Sequence, residues 1–403
     1  MIRPMPFRPV VTGFAHLSAA GNDDAEAVAL FRGARPAATP RPARDVIDSA
    51  ISDPVFRLDS FETPPGEPRT LAMIFAAVRR ALDRAGLTPA MLADSVTGCV
   101  VGTTIAQQFT DTAYYRLLRD DPETMENGPV ERFLATNPAE AVAREYGLRG
   151  PVNTVSNACA SGADAVAMAA LYLLSGQCDR VIAVGADELH RTPVAGFHVL
   201  GVTSPFPCRP FDSARAGLNL GEAAGAVILE TPDCAAKRGL APEFALAGFG
   251  MSCDAAHITA PDTEGGGMKR AFRAALSRGG LALNDVAFIN AHGTGTVLND
   301  QCETAAFAGL AEETAQSVPP FLSTKRFTGH TLGAAGAIEF IFTMLMLRDG
   351  FVPASPGCRT PDPKLACQPL PSPLALPSGA RYAASTSLAF GGADTVLVAE
   401  RMG

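Results

Sequence analysis

GPVNTVSNACASGADAVAMAA, from Gly150 to Ala170, is the stretch around which the rest of the chain is organised. Its β-branched residues between 152 and 155 predict a short buried strand, and a helix rich in Ala, Met and Leu is predicted from Ala160 to Leu174. The turn between them places Cys159 near the amino-terminal end of that helix, where backbone N–H groups and the helix dipole favour a thiolate over a thiol. A lone cysteine in an alanine-rich segment is more often a buried structural residue. Other segments must therefore decide whether Cys159 is a nucleophile.

Length and composition indicate a large folded protein. The 403 residues exceed one ordinary domain and suggest two or three units, or one large duplicated core. Hydrophobic residues make up 47% and charged residues 18%, a balance typical of compact soluble proteins. The formal net charge of −8 argues against nucleic-acid binding as the main function.

The cysteines and the amino terminus bear on the cellular compartment. The nine cysteines show no CxxC or Cys/His metal spacing, so we expect no metal site and reduced thiols in the cytoplasm. Prolines and arginines stand where a signal peptide needs an apolar run. The most apolar stretch, from Ile338 to Leu347, is too short to span a membrane and contains Glu339. We therefore expect a cytoplasmic protein without a membrane segment.

Predicted strands and helices alternate along the chain, which favours an α/β fold with sheets covered by helices on both faces. We divide the chain into residues 1–240, which carry the cysteine, and residues 241–403, and a diverged duplication would explain the length. Ala34 to Pro68 is rich in proline and charge and is predicted to be a long surface excursion. Gln107 to Asn127 is predicted to be partly helical, and Val130 to Tyr146 to be a further helix.

The segment INAHGTGT, from Ile289 to Thr296, follows a predicted strand and contains a histidine. The glycines beside His292 permit close approach of a ligand, and the hydroxyls of Thr294 and Thr296 follow. A lone histidine is more often structural than catalytic. The strand end and the neighbouring hydroxyls raise the odds of a catalytic role for His292 to about even.

The segment STKRFTGHTLGAAG, from Ser323 to Gly336, brings Lys325 and His330 together in sequence. Glu339 follows on an otherwise apolar helix, and a buried carboxylate needs a partner, for which Lys325 is the obvious cation. The alternative, a surface lysine and a solvated glutamate, is disfavoured by the apolar neighbours.

The segment SLAFGGAD, from Ser387 to Asp394, has one large aromatic residue among small ones. Glycines follow Phe390, so its ring could act as a hinged gate. A core plug is the ordinary role of a lone phenylalanine, and the sequence leaves both interpretations open.

Together these segments resemble the β-ketoacyl-acyl-carrier-protein synthases, the condensing enzymes of the thiolase superfamily. The shared motifs are CASG at Cys159, RPFDxxRxGxxxGEAAG from Arg209, DAxHxTAPD from Asp254, NAHGTGTxxxD at His292, STKxxxGHxxGAAG at Lys325 and His330, and FGG at Phe390. They run in the family's order from about residue 150 to 395 and are specific jointly, although FGG alone is weak. One departure concerns the family loop NSFGFGG, which reads TSLAFGG here and leaves the shape of the acyl entrance open.

The resemblance implies a thiolase-like α/β fold, in which duplicated βα halves pack as layers of sheets and helices. It implies a KAS I/II-like acyltransferase that performs the decarboxylative Claisen condensation of a Cys-bound acyl chain with malonyl-acyl-carrier protein. Fatty-acid, polyketide and polyene chain elongation all remain open as the pathway.

The resemblance also assigns roles to residues. Cys159 would hold the acyl chain, and the oxyanion donors and gate would be formed at Cys159, Phe390 and Gly391. His292 and His330 would donate from Nε2 to the enolate oxygen. Two further pairs are implied: Lys325 with Glu339, to orient His330, and Thr294 with Thr296, to bind the pantetheine arm.

The resemblance implies no metal and no cofactor beyond the 4′-phosphopantetheine of the acyl carrier protein. The expected partners are that carrier protein and either a second copy or a related ketosynthase in a heterodimer. Two alternatives remain. A pocket-shaping subunit like a chain-length factor would have lost the cysteine or a histidine, and all three are present. A thiolase proper would need a second catalytic cysteine near the carboxyl end. Cys358 and Cys367 lie in a proline-rich segment and not in the glycine loop, which argues against a thiolase.

Docking of the acyl carrier protein depends on the charge of the surface around the entrance. Carrier proteins are typically acidic and this chain is acidic too, so a local basic cluster at the entrance is predicted. The candidates are Lys269, Arg270 and Arg273 on one predicted helix and Arg69, Arg79 and Arg80 on another.

Overall fold

The structure is a computed structural model and describes residues 3–47, 49–64, 67–106, 119–124 and 137–403. Its strands are β1 (Val10–Ser18), β2 (Arg41–Pro42), β3 (Pro54–Val55), β4 (Thr97–Gly102), β5 (Val152–Val155), β6 (Arg180–Asp187), β7 (Ala223–Glu230), β8 (Phe244–Cys253), β9 (Val286–Asn290), β10 (Phe321–Leu322), β11 (Phe351–Val352), β12 (Leu374–Ala375), β13 (Tyr382–Leu388) and β14 (Ala393–Arg401).

The α-helices are α1 (Asp24–Phe31), α2 (Arg69–Arg84), α3 (Pro89–Ala93), α4 (Pro138–Tyr146), α5 (Ser161–Leu174), α6 (Arg191–Val199), α7 (Pro232–Lys237), α8 (Gly266–Gly279), α9 (Val297–Thr314), α10 (Lys325–Thr328) and α11 (Ala335–Asp349). Short polar side chains begin several of them. Asp23, Thr88, Asn137 and Thr231 each accept a hydrogen bond from a backbone N–H of the first turn.

Ten of the described strands form one mixed sheet in the order β10-β9-β13-β14-β8-β1-β7-β6-β4-β5. The five strands from β5 to β1 and the five from β10 to β8 repeat one pattern. In each set the first two pairings are parallel and the next two antiparallel. This is the duplicated βα arrangement predicted from the sequence, whereas the boundary between residues 240 and 241 stays a prediction.

The helices complete the layers on both sides of the strands. In the first half, strands β1, β6 and β7 pack against α2, and in the second half strands β8 and β14 pack against α8. Between the two sets of strands, α5 from the first half packs against α11 from the second. Residues of both halves form one apolar core around these two helices, so the layered thiolase-like fold is confirmed.

Two expectations about individual segments change. The segment from Ala34 to Pro68 is more than a surface excursion, because it contains β2 and β3 and buries Val55, Phe56 and Leu58. The predicted helix from Val130 to Tyr146 is seen as α4, and its earlier residues, like most of Gln107 to Asn127, lie outside the described residues. Among the described residues, no helix has both the length and the apolar character needed to cross a bilayer.

Candidate active site

Cys159 lies in the tight turn between β5 and α5. Ala158 adopts a positive φ of 46°, and the Ser161 hydroxyl accepts from the Asn157 N–H at 2.8 Å and donates to the Ala158 carbonyl at 2.6 Å. The next residue, Gly162, has no room for a side chain, because an added Cβ would be 2.5 Å from the Gly333 carbonyl oxygen. The start of α5 is thereby held against the loop that follows His330.

The Cys159 thiol is neutral in the unloaded site. The side chain is buried, and burial raises its pKa to about 12, while the positive charge of Lys325 lowers it only in part. Desolvation of the charged form therefore opposes the thiolate that the helix end favours.

His292 stands at the carboxyl end of β9, and its backbone fixes the ring. Its N–H donates to Glu303 Oε1 at 2.8 Å and to Thr386 Oγ1 at 3.0 Å. The Gly293 N–H donates to the other Glu303 oxygen at 2.6 Å, so one buried carboxylate holds the whole turn.

His330 reaches the same place from the second segment. Its N–H donates to the Asn219 carbonyl at 2.7 Å, and its ring meets the His292 ring edge-on with centroids 5.0 Å apart. Burial, followed by the charge of Lys325, lowers the pKa of both imidazoles well below the ordinary value. Both rings are therefore neutral at physiological pH.

Lys325 contacts His292 rather than His330. Its Nζ lies 2.5 Å from Glu339 Oε1 and 3.2 Å from His292 Nδ1. The expected pairing with Glu339 is confirmed. The resemblance assigned Lys325 to orient and support His330. Its hydrogen bond goes to His292 instead, and His330 Nδ1 has no hydrogen-bond partner among the described residues, although the charge of Lys325 still acts on the His330 imidazole. Since an ammonium only donates, His292 Nδ1 accepts and its proton lies on Nε2.

A cavity of about 340 Å³ brings the predicted residues together. Cys159, His292 and His330 line it together with Thr294 and Thr296, whose hydroxyls are 2.9 Å apart. Most of the remaining lining is apolar, so the cavity can hold a hydrocarbon chain beside two neutral hydrogen-bond donors.

Phe390 also lines this cavity, at the tip of the turn between β13 and β14. Its ring stacks on Phe197 with centroids 5.4 Å apart and planes 19° apart. The Gly391 N–H donates to the Ile258 carbonyl at 2.7 Å, so this donor is engaged, and a role of Gly391 in the gate stays a prediction. In contrast, the Phe390 N–H has no acceptor among the described residues.

Sequence reasoning missed two residues that shape the site. Asp187, at the end of β6, accepts from the Gly333 N–H at 2.6 Å and from Thr103 Oγ1 at 2.6 Å, which ties the loop after His330 to β4. A carboxylate at the end of an all-apolar strand was a usable signal. No sequence signal pointed to Phe197, because its contact with Phe390 depends on how α6 packs.

The predicted basic clusters are largely occupied by intramolecular contacts. Arg69 is 2.6 Å from Glu222 and little exposed, and Lys269 and Arg273 both contact Glu313. Arg80 donates to the Asn22 carbonyl and Arg270 to the Cys253 carbonyl. Neither cluster belongs to the cavity lining.

Two family models match the sequence. The model "Beta-ketoacyl synthase, N-terminal domain" matches residues 68–235. The model "Beta-ketoacyl synthase, C-terminal domain" matches residues 244–359.

Individual relatives agree with the two matches. The chain is 37% identical over 289 residues to Nodulation protein E of Rhizobium meliloti (strain 1021), which covers 72% of this chain and 71% of the relative. It is 33% identical to 3-oxoacyl-[acyl-carrier-protein] synthase 2 of the same strain, over 87% of this chain and 86% of the relative. A solved structure, "The ishigamide ketosynthase/chain length factor", superposes with a TM-score of 0.89 at 31% identity, over 98% of this chain and 100% of the other.

Proposed function

This chain belongs to the β-ketoacyl synthase family, and we propose that Cys159 carries the acyl chain while His292 and His330 bind the enolate formed from the second substrate. The protein is a condensing acyltransferase, as in the family. The observation that carries our assignment is the cavity, which joins one buried thiol and two neutral imidazoles.

The first half-reaction loads the enzyme. Cys159 Sγ attacks the carbonyl carbon of an acyl thioester, and the departing pantetheine sulfur takes the proton that the thiol releases. The carbonyl oxygen becomes an oxyanion, and the backbone N–H groups of Cys159 and Phe390 are the donors we assign to it. The Phe390 N–H supports this assignment, because no residue in the described part of the chain accepts from it.

The second half-reaction forms the carbon–carbon bond. A malonyl thioester loses CO₂, and the electron pair of the broken bond becomes an enolate whose oxygen accepts from Nε2–H of His292 and of His330. The enolate carbon attacks the acyl carbonyl, the Cys159 sulfur leaves as a thiolate, and a proton from solvent restores the thiol. Lys325 supports this step by holding the His292 proton on Nε2.

We also assign a role to Thr294 and Thr296. Their hydroxyls bind the pantetheine arm, because both residues line the cavity. No metal and no organic cofactor is needed for these steps beyond the phosphopantetheine of the substrate. The nine free thiols, all among the described residues, suit a reducing compartment, and we place the enzyme in the cytoplasm.

The partners follow from the relatives. We propose an acyl carrier protein as the donor of both substrates, because the name of one relative includes it. The ishigamide structure joins a ketosynthase with a chain-length factor by name, so a heterodimer is proposed beside a homodimer.

The test separates the two half-reactions. We expect Cys159→Ala to abolish acyl-enzyme formation and condensation while malonyl decarboxylation survives, because the enolate donors do not need the thiol. We expect His292→Ala or His330→Ala to retain acylation of Cys159 while decarboxylation falls by about two to three orders of magnitude. Intact-protein mass spectrometry measures the acylation, and release of labelled CO₂ measures the decarboxylation.

Circular dichroism and thermal unfolding of each variant provide the control for folding. A folded Cys159→Ala variant that cannot decarboxylate, or a histidine variant that decarboxylates normally, would show the roles to be wrong. If the wild-type protein takes up no acyl group, the alternative of a pocket-shaping subunit like a chain-length factor is favoured instead.

A further inference from the structure

The buried carboxylate of Asp187 binds two loops that meet beside the active site. From the loop after His330, the Gly333 N–H donates to Asp187 Oδ2 at 2.6 Å. From the loop after β4, the Thr104 hydroxyl donates to the same oxygen at 2.7 Å and the Thr103 hydroxyl donates to Oδ1 at 2.6 Å. Backbone N–H groups of this second loop donate as well. One side chain therefore joins the loop that carries His330 to the loop that follows β4.

The turn after His330 is strained and needs support on both sides. Leu332 has a φ of 53°, a conformation in which the Cβ of a leucine crowds its own backbone. Such a conformation persists only where the surrounding structure holds it. Before the turn, the His330 N–H donates to the Asn219 carbonyl, and after it the Gly333 N–H donates to Asp187. Loss of the Asp187 carboxylate would therefore let the turn relax and carry the His330 ring with it.

The peptide that Asp187 holds also packs against the helix of the nucleophile. An added Cβ at Gly162, in the first turn of α5, would be 2.5 Å from the Gly333 carbonyl oxygen. The Gly333 residue thus lies between the Asp187 carboxylate and the start of α5, three residues after Cys159. A shift of Gly333 would change the separation of Cys159 from His330.

We propose that Asp187 is a positioning residue of the condensation, which sets the separation of the Cys159 sulfur from His330 Nε2 by holding the Gly333 N–H. This inference rests on the proposed function. Acyl transfer to Cys159 uses one side of the cavity, whereas carbon–carbon bond formation needs the acyl group and the enolate in register. The enolate carbon then has two fates: it attacks the acyl carbonyl, or it takes a proton from water and leaves as an acetyl thioester.

The experiment measures how the enolate is divided between these two fates. Enzyme loaded at Cys159 from octanoyl-pantetheine is mixed with malonyl-pantetheine, and released CO₂, acetyl-pantetheine and condensation product are quantified. We expect Asp187→Asn to raise the ratio of CO₂ to condensation product about tenfold, because a small misplacement of the reacting carbons slows bond formation steeply. Acylation of Cys159, measured by intact-protein mass spectrometry, should stay near the wild-type rate.

A milder variant acts on the same carboxylate. Thr104→Val removes one hydroxyl donor from Asp187 Oδ2 and leaves the Gly333 hydrogen bond in place. We expect a smaller rise of the ratio in the same direction. This variant also decides the question if Asp187→Asn does not fold, since a wild-type ratio in Thr104→Val would then count against the proposal.

Glu230→Gln is the matched control. Glu230 is a buried carboxylate at the opposite end of the β6 and β7 pairing, where it contacts Arg180 at 3.1 Å and Arg238 at 2.7 Å. Its loss should lower stability without changing the ratio of CO₂ to product.

Three outcomes would overturn the proposal. The first is a wild-type ratio in both variants, and the second is a fall of acylation, decarboxylation and condensation by one common factor, as a merely structural role would give. The third is an equal rise of the ratio in Glu230→Gln. Wild-type enzyme that takes up no acyl group would instead contradict the proposed function.

Discussion

Lys325 is the residue on which the buried charges of the site depend. Its side chain and that of Glu339 are each only 1% exposed, and their atoms lie 2.5 Å apart. Removing one member of such a pair leaves the other charge in a medium that solvates it poorly. Lys325 also fixes the tautomer of His292, so one side chain controls both stability and catalysis.

We expect the stability lost in Lys325→Met to depend on pH. Burial raises the pKa of Glu339 from the ordinary 4.5 to about 7, and Lys325 opposes that rise. The folded protein therefore keeps a proton in this range that the unfolded chain has released, so stability falls as pH rises from 4.5 to 7. Without Lys325 the pKa rises further, and we expect the variant to lose about 3–5 kcal/mol of unfolding free energy at pH 8 and clearly less at pH 5.

Urea unfolding at the two pH values measures this difference. Lys325→Met combined with Glu339→Leu is the control, because it removes both charges and should abolish the pH dependence of the loss. An equal loss of stability by the single variant at both pH values would contradict the prediction.

The sequence shows where a polar residue stands along a strand or helix, but burial and contacts between distant segments arise only on folding. Cys159, His292, His330 and the pair of Lys325 with Glu339 could be named as candidates, because each stands near a strand end or on an apolar helix. Their roles came from the resemblance of the joint motifs to a known family. The protonation of Cys159 could not be predicted, since burial is a property of the folded chain. The choice of His292 over His330 as the neighbour of Lys325 also depends on packing between distant segments.

Among the structural elements, the turn between β13 and β14 combines backbone strain with function. Gly391 and Gly392 both adopt positive φ, 85° and 80°. An added Cβ at Gly391 would meet nothing within 4 Å, whereas at Gly392 it would be 1.9 Å from Asp254 Oδ1. The two glycines are therefore constrained for different reasons.

The second prediction uses this difference. We expect Gly392→Ala to slow acylation of Cys159 by more than tenfold relative to Gly391→Ala, because only the former must move the turn away from Asp254 and displace Phe390. Quenched-flow mass spectrometry of the acyl-enzyme gives both rates. Equal rates in the two variants would mean that φ strain alone matters and that the contact with Asp254 does not position the gate.

Most regular elements could be predicted because their patterns are local. Apolar residues at helical spacing predict a helix from Arg69 to Ala85, which is found as α2 and ends one residue earlier. An apolar run predicts a strand from Val96 to Val101, which is found as β4, displaced by one residue. The segment from Ala34 to Pro68 could not be predicted. Its buried residues have no period, and the Phe56 N–H pairs with the Leu220 carbonyl, far away in sequence.

At the scale of the whole molecule, the two halves repeat one topology but share one interior. Among the described residues, the strands of the two halves pair at Val10 with Ala245 and at Val11 with Phe244. The stronger connection is the contact between α5 and α11, around which apolar residues from both halves form a single core. Since the site takes Cys159 from one half and both histidines from the other, the geometry of that contact also sets the geometry of the site.

The last prediction tests this connection with two helical glycines. At Gly336 in α11 an added Cβ would be 2.5 Å from the Ala163 backbone nitrogen in α5, whereas at Gly196 in α6 it would meet nothing within 4 Å. We expect Gly336→Ala to lower the unfolding free energy by about 1–3 kcal/mol through overpacking, and Gly196→Ala to leave it unchanged or slightly raised, because alanine is the better helix former. Unfolding should remain one transition, in which tyrosine fluorescence and circular dichroism change together, because neither half keeps its core once the helices separate. Two resolved transitions in Gly336→Ala would show instead that each half is stable alone and that the shared core is not what holds the site together.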